Sequence, residues 1–161
     1  NAGVDGVALV KKNFPSNEAY MDEMIRVLQQ AKVDLVVLAG FMTVLSPKFI
    51  AAFPNRILNI HPSLIPSFCG VGYYGLKVHE AALQRGVKVT GATVHFVNEE
   101  TDGGPIFLQK TVEVREDDTP QTLQQRVMEE AEWKILPEPI RLLSRGEAEV
   151  IDGKVRRVTR P

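Results

Sequence analysis

The segment Ile57-Leu58-Asn59-Ile60-His61 is apolar except for two side chains, and their spacing matters. In an extended strand alternate residues share a face, so Asn59 and His61 project together while Leu58 and Ile60 face the other way. A histidine titrates near neutral pH and can move a proton, and an asparagine amide can donate to an oxygen on which charge develops. Such a pair suits acyl transfer, a chemistry that calls for a carboxylate beside the imidazole. Asp102, in the turn Thr101-Asp102-Gly103-Gly104, is the candidate, because the two glycines permit close backbone approach. Spacing alone leaves a second reading open, in which Asn59 and His61 are hydrogen-bonded residues at a strand end and Asp-Gly-Gly is an ordinary turn.

The remaining polar residues carry less. His95 alternates with Val94 and Phe96 on an expected strand near the same site and is a candidate for ligand contact, whereas His79 falls on an expected helix as a solvated residue. Three histidines and one cysteine at these separations match no metal-ligand spacing, so no metal is expected. Cys69 reads as a small packing residue in the loop Phe68-Cys69-Gly70-Val71-Gly72-Tyr73-Tyr74-Gly75, which is the candidate lid. Glu99-Glu100 reads as a solvated loop edge.

The elements that must position these groups follow from pattern. Val4 to Val10 is short and rich in β-branched residues, which predicts a strand; Ser16 then caps a helix whose stripe Tyr20, Met21, Met24, Ile25, Leu28 and Ala31 should be core. Val33 to Phe41 is nearly continuous and apolar, the pattern of a strand covered on both faces. Ser46-Pro47 caps a short helix to Phe53, Arg56 to His61 is a strand ended by Pro62, and Ser63 to Gly75 is a long loop. Leu76 to Arg85 is helical with Gly86 as its stop, and strands follow over Lys88 to Asn98 and Pro105 to Val114. Thr119-Pro120 opens a long helix that Pro137 and Pro139 should break, and Glu149 to Val158 reads as a hairpin about Asp152-Gly153. Alternating strands and helices predict an α/β fold with a mainly parallel, doubly wound sheet, closed by a long C-terminal helix and hairpin. Ligands in such sheets bind beyond the carboxyl ends of the strands.

Composition sets outer bounds. With 161 residues, 19 Lys+Arg against 20 Asp+Glu and a formal charge of −1, the chain lacks the basic footprint of a nucleic-acid binder, although Lys154, Arg156, Arg157 and Arg160 cluster near the C-terminus. A chain of this length buries roughly two thirds of its unfolded surface without a staple, which one domain over residues 1–161 satisfies. No apolar run approaches the ~20 residues of a membrane span. A single cysteine favours a reducing compartment, so a cytoplasmic location is expected.

Asn59-Ile60-His61-Pro62-Ser63-Leu64-Ile65-Pro66, with Leu38-Ala39-Gly40-Phe41-Met42 before it and Gly91-Ala92-Thr93-Val94-His95-Phe96-Val97 and Asp102-Gly103-Gly104-Pro105 after it, resembles the phosphoribosylglycinamide formyltransferases of purine synthesis. The resemblance runs through essentially the whole chain. It implies the formyltransferase version of the doubly wound sheet, and transfer of a formyl group from the co-substrate 10-formyltetrahydrofolate to the amino group of glycinamide ribonucleotide, with no metal. Carried over by position, His61 matches the catalytic histidine, Asn59 the ligand of the formyl oxygen, and Asp102 the aspartate that raises the histidine's proton affinity. Met42, Thr43, Val44 and Leu45, with Asn98, Glu99, Glu100, Thr101 and Asp102, match the two segments that hold the folate's pterin ring. Glu132 matches the acid that binds the nucleotide's ribose, and Pro62 is grouped with it on the substrate side.

The chain also departs from the family pattern. The family's first strand and its Gly-rich phosphate-cradling loop have no counterpart, so the domain is expected to be truncated at its N-terminus and to hold the nucleotide phosphate poorly. Asn17 and Thr43 stand where arginines are common in relatives, which weakens expected contacts to the folate tail. Two sister activities share Asn, His and Asp. Methionyl-tRNA formyltransferase is disfavoured by the loop after Pro66 and by the lack of a tRNA-binding domain, and formyltetrahydrofolate hydrolase by Pro62, where it usually has a second His. A folate-binding fragment without turnover is the alternative from a different class, and a second copy of the chain is a candidate partner.

Overall fold

The computed structural model describes residues 3–158. Helix α1 (Asn17–Gln30) starts at Ser16, whose hydroxyl accepts from the Ala19 amide at 3.0 Å, and α2 (Pro47–Ala52) repeats the device with Ser46 and the Phe49 amide. Helix α3 (Leu76–Arg85) ends at Gly86, whose φ of 75° is the left-handed stop expected of that glycine. Four strands, β1 (Val36–Leu38), β2 (Ile57–His61), β3 (Val89–Phe96) and β4 (Ile106–Glu113), form a sheet in the order β1-β2-β3-β4. The C-terminal part contains α4 (Pro120–Val127), a π-helical turn at Met128–Glu132, α5 (Trp133–Ile135) and α6 (Pro137–Ser144). It closes with a hairpin of β5 (Ala148–Ile151) and β6 (Lys154–Arg157), as expected about Asp152-Gly153, while Arg160 lies outside the described residues.

The α/β class stands, with a mixed sheet. Only β1 and β2, joined through α2, are parallel; β2–β3 and β3–β4 are antiparallel. The expectation of a mainly parallel sheet is corrected at these two pairings, because the turn at 101–104 reverses the chain between β3 and β4 and β3 runs back along β2. Val4 to Val10 is the other correction: it forms no strand, and Val4, Val7 and Val10 are exposed. β-branched composition favours an extended chain, but a strand exists only through its ladder, and no described segment pairs with this one. Likewise β1 is three residues long, and Val37 and Leu38 at the sheet's edge are only half-buried.

Core forms on both faces of the sheet. Ile57 and Val36 pack with Met21, Ile25 and Phe49 under α1 and α2, and Leu58, Ile60, Val94 and Phe96 pack with Leu123, Val127 and Leu142 on the opposite face. Within the predicted stripe of α1, Ala31 is exposed, since the helix has ended by then. Pro137 begins α6 rather than destroying the helical run: at a first-turn position its missing N–H costs nothing. The π-helical turn that precedes it has no counterpart in the sequence pattern. At Gly91 the strands β3 and β4 approach so closely that a Cβ would overlap the Lys110 carbonyl oxygen.

His79 is not solvated. It has no exposed surface, and neither of its ring nitrogens meets a protein partner, so burial, with His61 adding to it, pushes its pKa down to about 4. Unfolded histidine titrates near 6.5, so between these values the unfolded chain binds more protons and stability falls as pH is lowered. Urea denaturation is expected to show a loss of about 2 kcal/mol between pH 7.5 and pH 5 from this residue. In His79→Leu that part of the dependence disappears, leaving the smaller contribution of His61 with the same sign. A second expectation concerns packing: Gly91→Ala lowers stability by about 3 kcal/mol, read as a lower urea midpoint with an unchanged slope.

Candidate functional site

Strand β2 delivers its polar pair by parity. Ile57, Asn59 and His61 share one face; Ile57 is sealed under α1 and α2, and farther along the same face the strand end opens into a cleft of about 380 Å³. The register of β3 sets His95 opposite Asn59 and Thr93 opposite His61, so four polar residues meet on one face. On the reverse face the partners Leu58–Phe96 and Ile60–Val94 are all core.

Asp102 arrives from the β3–β4 turn. Its φ of 56° is left-handed, a conformation aspartate tolerates better than most residues, and a Cβ on Gly104 would overlap the Phe96 carbonyl oxygen. One carboxylate oxygen, Oδ2, accepts from the Gly70 amide at 2.8 Å and lies 3.6 Å from His61 Nδ1; Oδ1 lies 3.6 Å from His95 Nε2. Burial raises the Asp102 carboxyl, but the groups around it, the Gly70 amide and His61 among them, outweigh it and hold the group below its ordinary pKa. For His61 the balance is the reverse: burial lowers its pKa, and the Phe68 carbonyl and Asp102 only partly restore it.

The loop over residues 63–75 is tied to this centre from below. Thr93, fully buried, donates to the Ser63 carbonyl at 2.7 Å and accepts from the Ile65 amide at 3.1 Å, and Gln109 donates to Thr93 Oγ1 and to the Ile65 carbonyl. The Ile65–Pro66 bond is cis. So anchored, the loop presents the Phe68 carbonyl to His61 Nε2, which donates to it at 2.8 Å.

The cleft gathers nearly all the residues named from sequence. Met42, Thr43, Val44 and Leu45 line one wall, and Asn98, Glu99, Glu100, Thr101 and Asp102 another, with Asn59, His61 and Pro62 between them. Gly70 to Gly75 adds a further wall, so the candidate lid does border the site. Glu132 is set apart: it does not line the cleft, and its carboxyl sits in the π-helical turn with its pKa raised by burial. Cys69 is half-buried with its thiol pushed up by burial, consistent with a packing residue. His95 is the residue whose importance sequence understates. Its signals in the sequence are alternation on β3 and a place in the Gly91–Val97 motif, and its pairing with Asn59 depends on register. Among the described residues no group of three or more His, Cys, Asp or Glu gathers as a metal centre, and no helix is long and apolar enough to cross a membrane.

Comparison with known proteins points the same way. A sequence model of the formyl transferase family matches residues 4–140. Phosphoribosylglycinamide formyltransferase of Haemophilus influenzae is 40% identical over 152 residues, covering 94% of this chain and 69% of that protein. The chloroplastic phosphoribosylglycinamide formyltransferase of Arabidopsis thaliana is 47% identical over 119 residues, covering 74% of this chain but only 41% of the plant protein's length. The crystal structure of glycinamide ribonucleotide transformylase 1 from Symbiobacterium toebii superposes with a TM-score of 0.84 at 44% identity, covering 92% of this chain and 68% of that one. By sequence and by fold, the chain belongs to the formyl transferase family.

Proposed function

We propose that this chain carries the reacting centre of a phosphoribosylglycinamide formyltransferase, moving a formyl group from 10-formyltetrahydrofolate to the amino group of glycinamide ribonucleotide. The observation that carries the reading is the meeting of Asn59, His61 and Asp102 at the carboxyl end of β2, in a cleft walled by the two segments matched to the folate. The names of the Haemophilus and Arabidopsis relatives support the substrate pair. The lone Cys69 supports a reducing compartment such as the cytoplasm. The reading needs no partner beyond these small molecules, and a second copy of the chain is not required by it.

In this reading the substrate amine attacks the formyl carbon, and the carbonyl oxygen gathers negative charge. Asn59 donates an amide hydrogen to that oxygen, and protonated His61 adds a second donor held by Asp102. As the tetrahedral species collapses, the bond from the formyl carbon to the folate nitrogen breaks, the incoming amine gives up a proton, and the folate nitrogen receives one. His61 Nε2 is occupied by the Phe68 carbonyl, so a substrate oxygen approaching that nitrogen must displace this contact. Glu132, outside the cleft wall, takes the nucleotide side.

The test is tetrahydrofolate release from 10-formyltetrahydrofolate with and without glycinamide ribonucleotide. Turnover that depends on the nucleotide supports the reading, and bound folate with no nucleotide-dependent turnover overturns it. His61→Ala is expected to lower kcat by about 10³-fold and Asn59→Ala by about 10²- to 10³-fold, from the loss of one proton carrier or one oxyanion donor. Asp102 raises the proton affinity of His61, so in Asp102→Asn the limb of the pH–rate profile that reports protonated His61 moves to lower pH, with reduced turnover; an unmoved limb removes Asp102 from this role. Glu132→Gln is expected to raise KM for the nucleotide about tenfold while leaving folate affinity unchanged, as steady-state titration of each substrate would show.

A further inference from the structure

His95 is 2% exposed and sits directly across from Asn59 in the β2–β3 ladder. Its Nδ1 lies 2.8 Å from the backbone oxygen of Phe96. A carbonyl can only accept, so Nδ1 carries a proton. In a neutral ring the other nitrogen, Nε2, is then a bare lone pair. The Asn59 side-chain nitrogen is 3.2 Å from that lone pair, while the nearer Asp102 oxygen stands at 3.6 Å, outside ordinary hydrogen-bond reach. A side-chain amide has two orientations of nearly the same shape, differing only in which end is nitrogen, and only one of them offers a hydrogen to a lone pair.

We propose that His95 is a positioning residue: as the neutral ring protonated on Nδ1, it holds the Asn59 amide in the single orientation that keeps its NH₂ group, rather than its oxygen, on the His95 side of the cleft. One amide hydrogen is spent on His95 Nε2, and the second remains for the oxygen on which charge develops. This inference rests on the assignment of Asn59 as the oxyanion donor. Without an acceptor at Nε2 the amide is free to turn over, and half of its orientations present an oxygen lone pair to an oxyanion. The charged and titratable neighbours facing the ring are His61 from β2 and Asp102 from the 101–104 turn. The ring's backbone contact to Phe96 leaves Nε2 turned to Asn59 between them.

Two measurements separate this inference from the activity reading. Long-range proton–nitrogen correlation spectra of histidine-labelled protein at pH 7.5, without any substrate, report the protonation of each ring nitrogen. The signal lost in His95→Gln is expected to show a protonated Nδ1 and a bare Nε2; a proton on Nε2 overturns the proposal whether or not the chain transfers formyl groups. In the transfer assay, His95→Met, which lacks an acceptor, is expected to lower kcat about 100-fold with KM for the folate within about threefold. His95→Gln, whose carbonyl can accept from Asn59, restores kcat to within about tenfold. In the Asn59→Ala background His95→Met costs nothing further, because His95 acts through Asn59. Additive losses in the double variant, or equal losses in His95→Gln and His95→Met, overturn it.

Discussion

The site depends on the antiparallel register of β2 against β3. With Asn59 opposite His95 and His61 opposite Thr93, four polar residues share one face, and the same alignment pairs Leu58 with Phe96 and Ile60 with Val94 in the core behind them. A slip of one residue would carry the apolar set into the cleft and the polar set into the core, so the hydrophobic face protects the chemistry on the other. Each face fixes the other's composition: the residues that can react are held where they are by residues that cannot.

Asp102 completes the centre from a different part of the chain, and its placement is made by backbone rather than side-chain packing. A left-handed residue followed by two glycines turns β3 into β4 tightly enough to bring the carboxylate back over the strand it has just left. Asp102, His61 and His95 then share a small volume. The carboxylate is stabilised as an anion by the Gly70 amide and by His61, whereas both His61 and His79 are pressed toward the neutral form by burial. The protein therefore holds one negative charge beside a poorly solvated base, a state in which a proton arriving at His61 is attracted by Asp102 and opposed by its surroundings.

The anchoring of the 63–75 loop extends this logic away from the reacting atoms. Thr93 and Gln109 satisfy the backbone of a segment that would otherwise carry unpaired groups under the cleft, and the reward is a fixed Phe68 carbonyl at His61. The same principle is absent at His79, whose nitrogens are buried without protein partners, so that residue contributes acid sensitivity to the core rather than order to the site.

Local pattern alone determined the caps at Ser16, Ser46 and Thr119, the stop at Gly86, the C-terminal hairpin, and the parity that turns Asn59 and His61 to one side. These follow from side-chain chemistry acting within a few residues along the chain. The two segments named from the ordered motifs, Met42 to Leu45 and Asn98 to Asp102, line the walls of one cleft. Tertiary structure decided the rest. Val4 to Val10 looks like a strand because β-branching favours extension, but pairing requires a partner that residue type does not specify. His79 reads as solvated on a helix of mixed polarity, and only the packing of α3 against its neighbours reveals that its face is closed. The mixed direction of the sheet, the π-helical turn at Glu132 and the meeting of His95 with Asn59 all rest on contacts between residues far apart in the chain, whose geometry is set by register and close approach rather than by local preference.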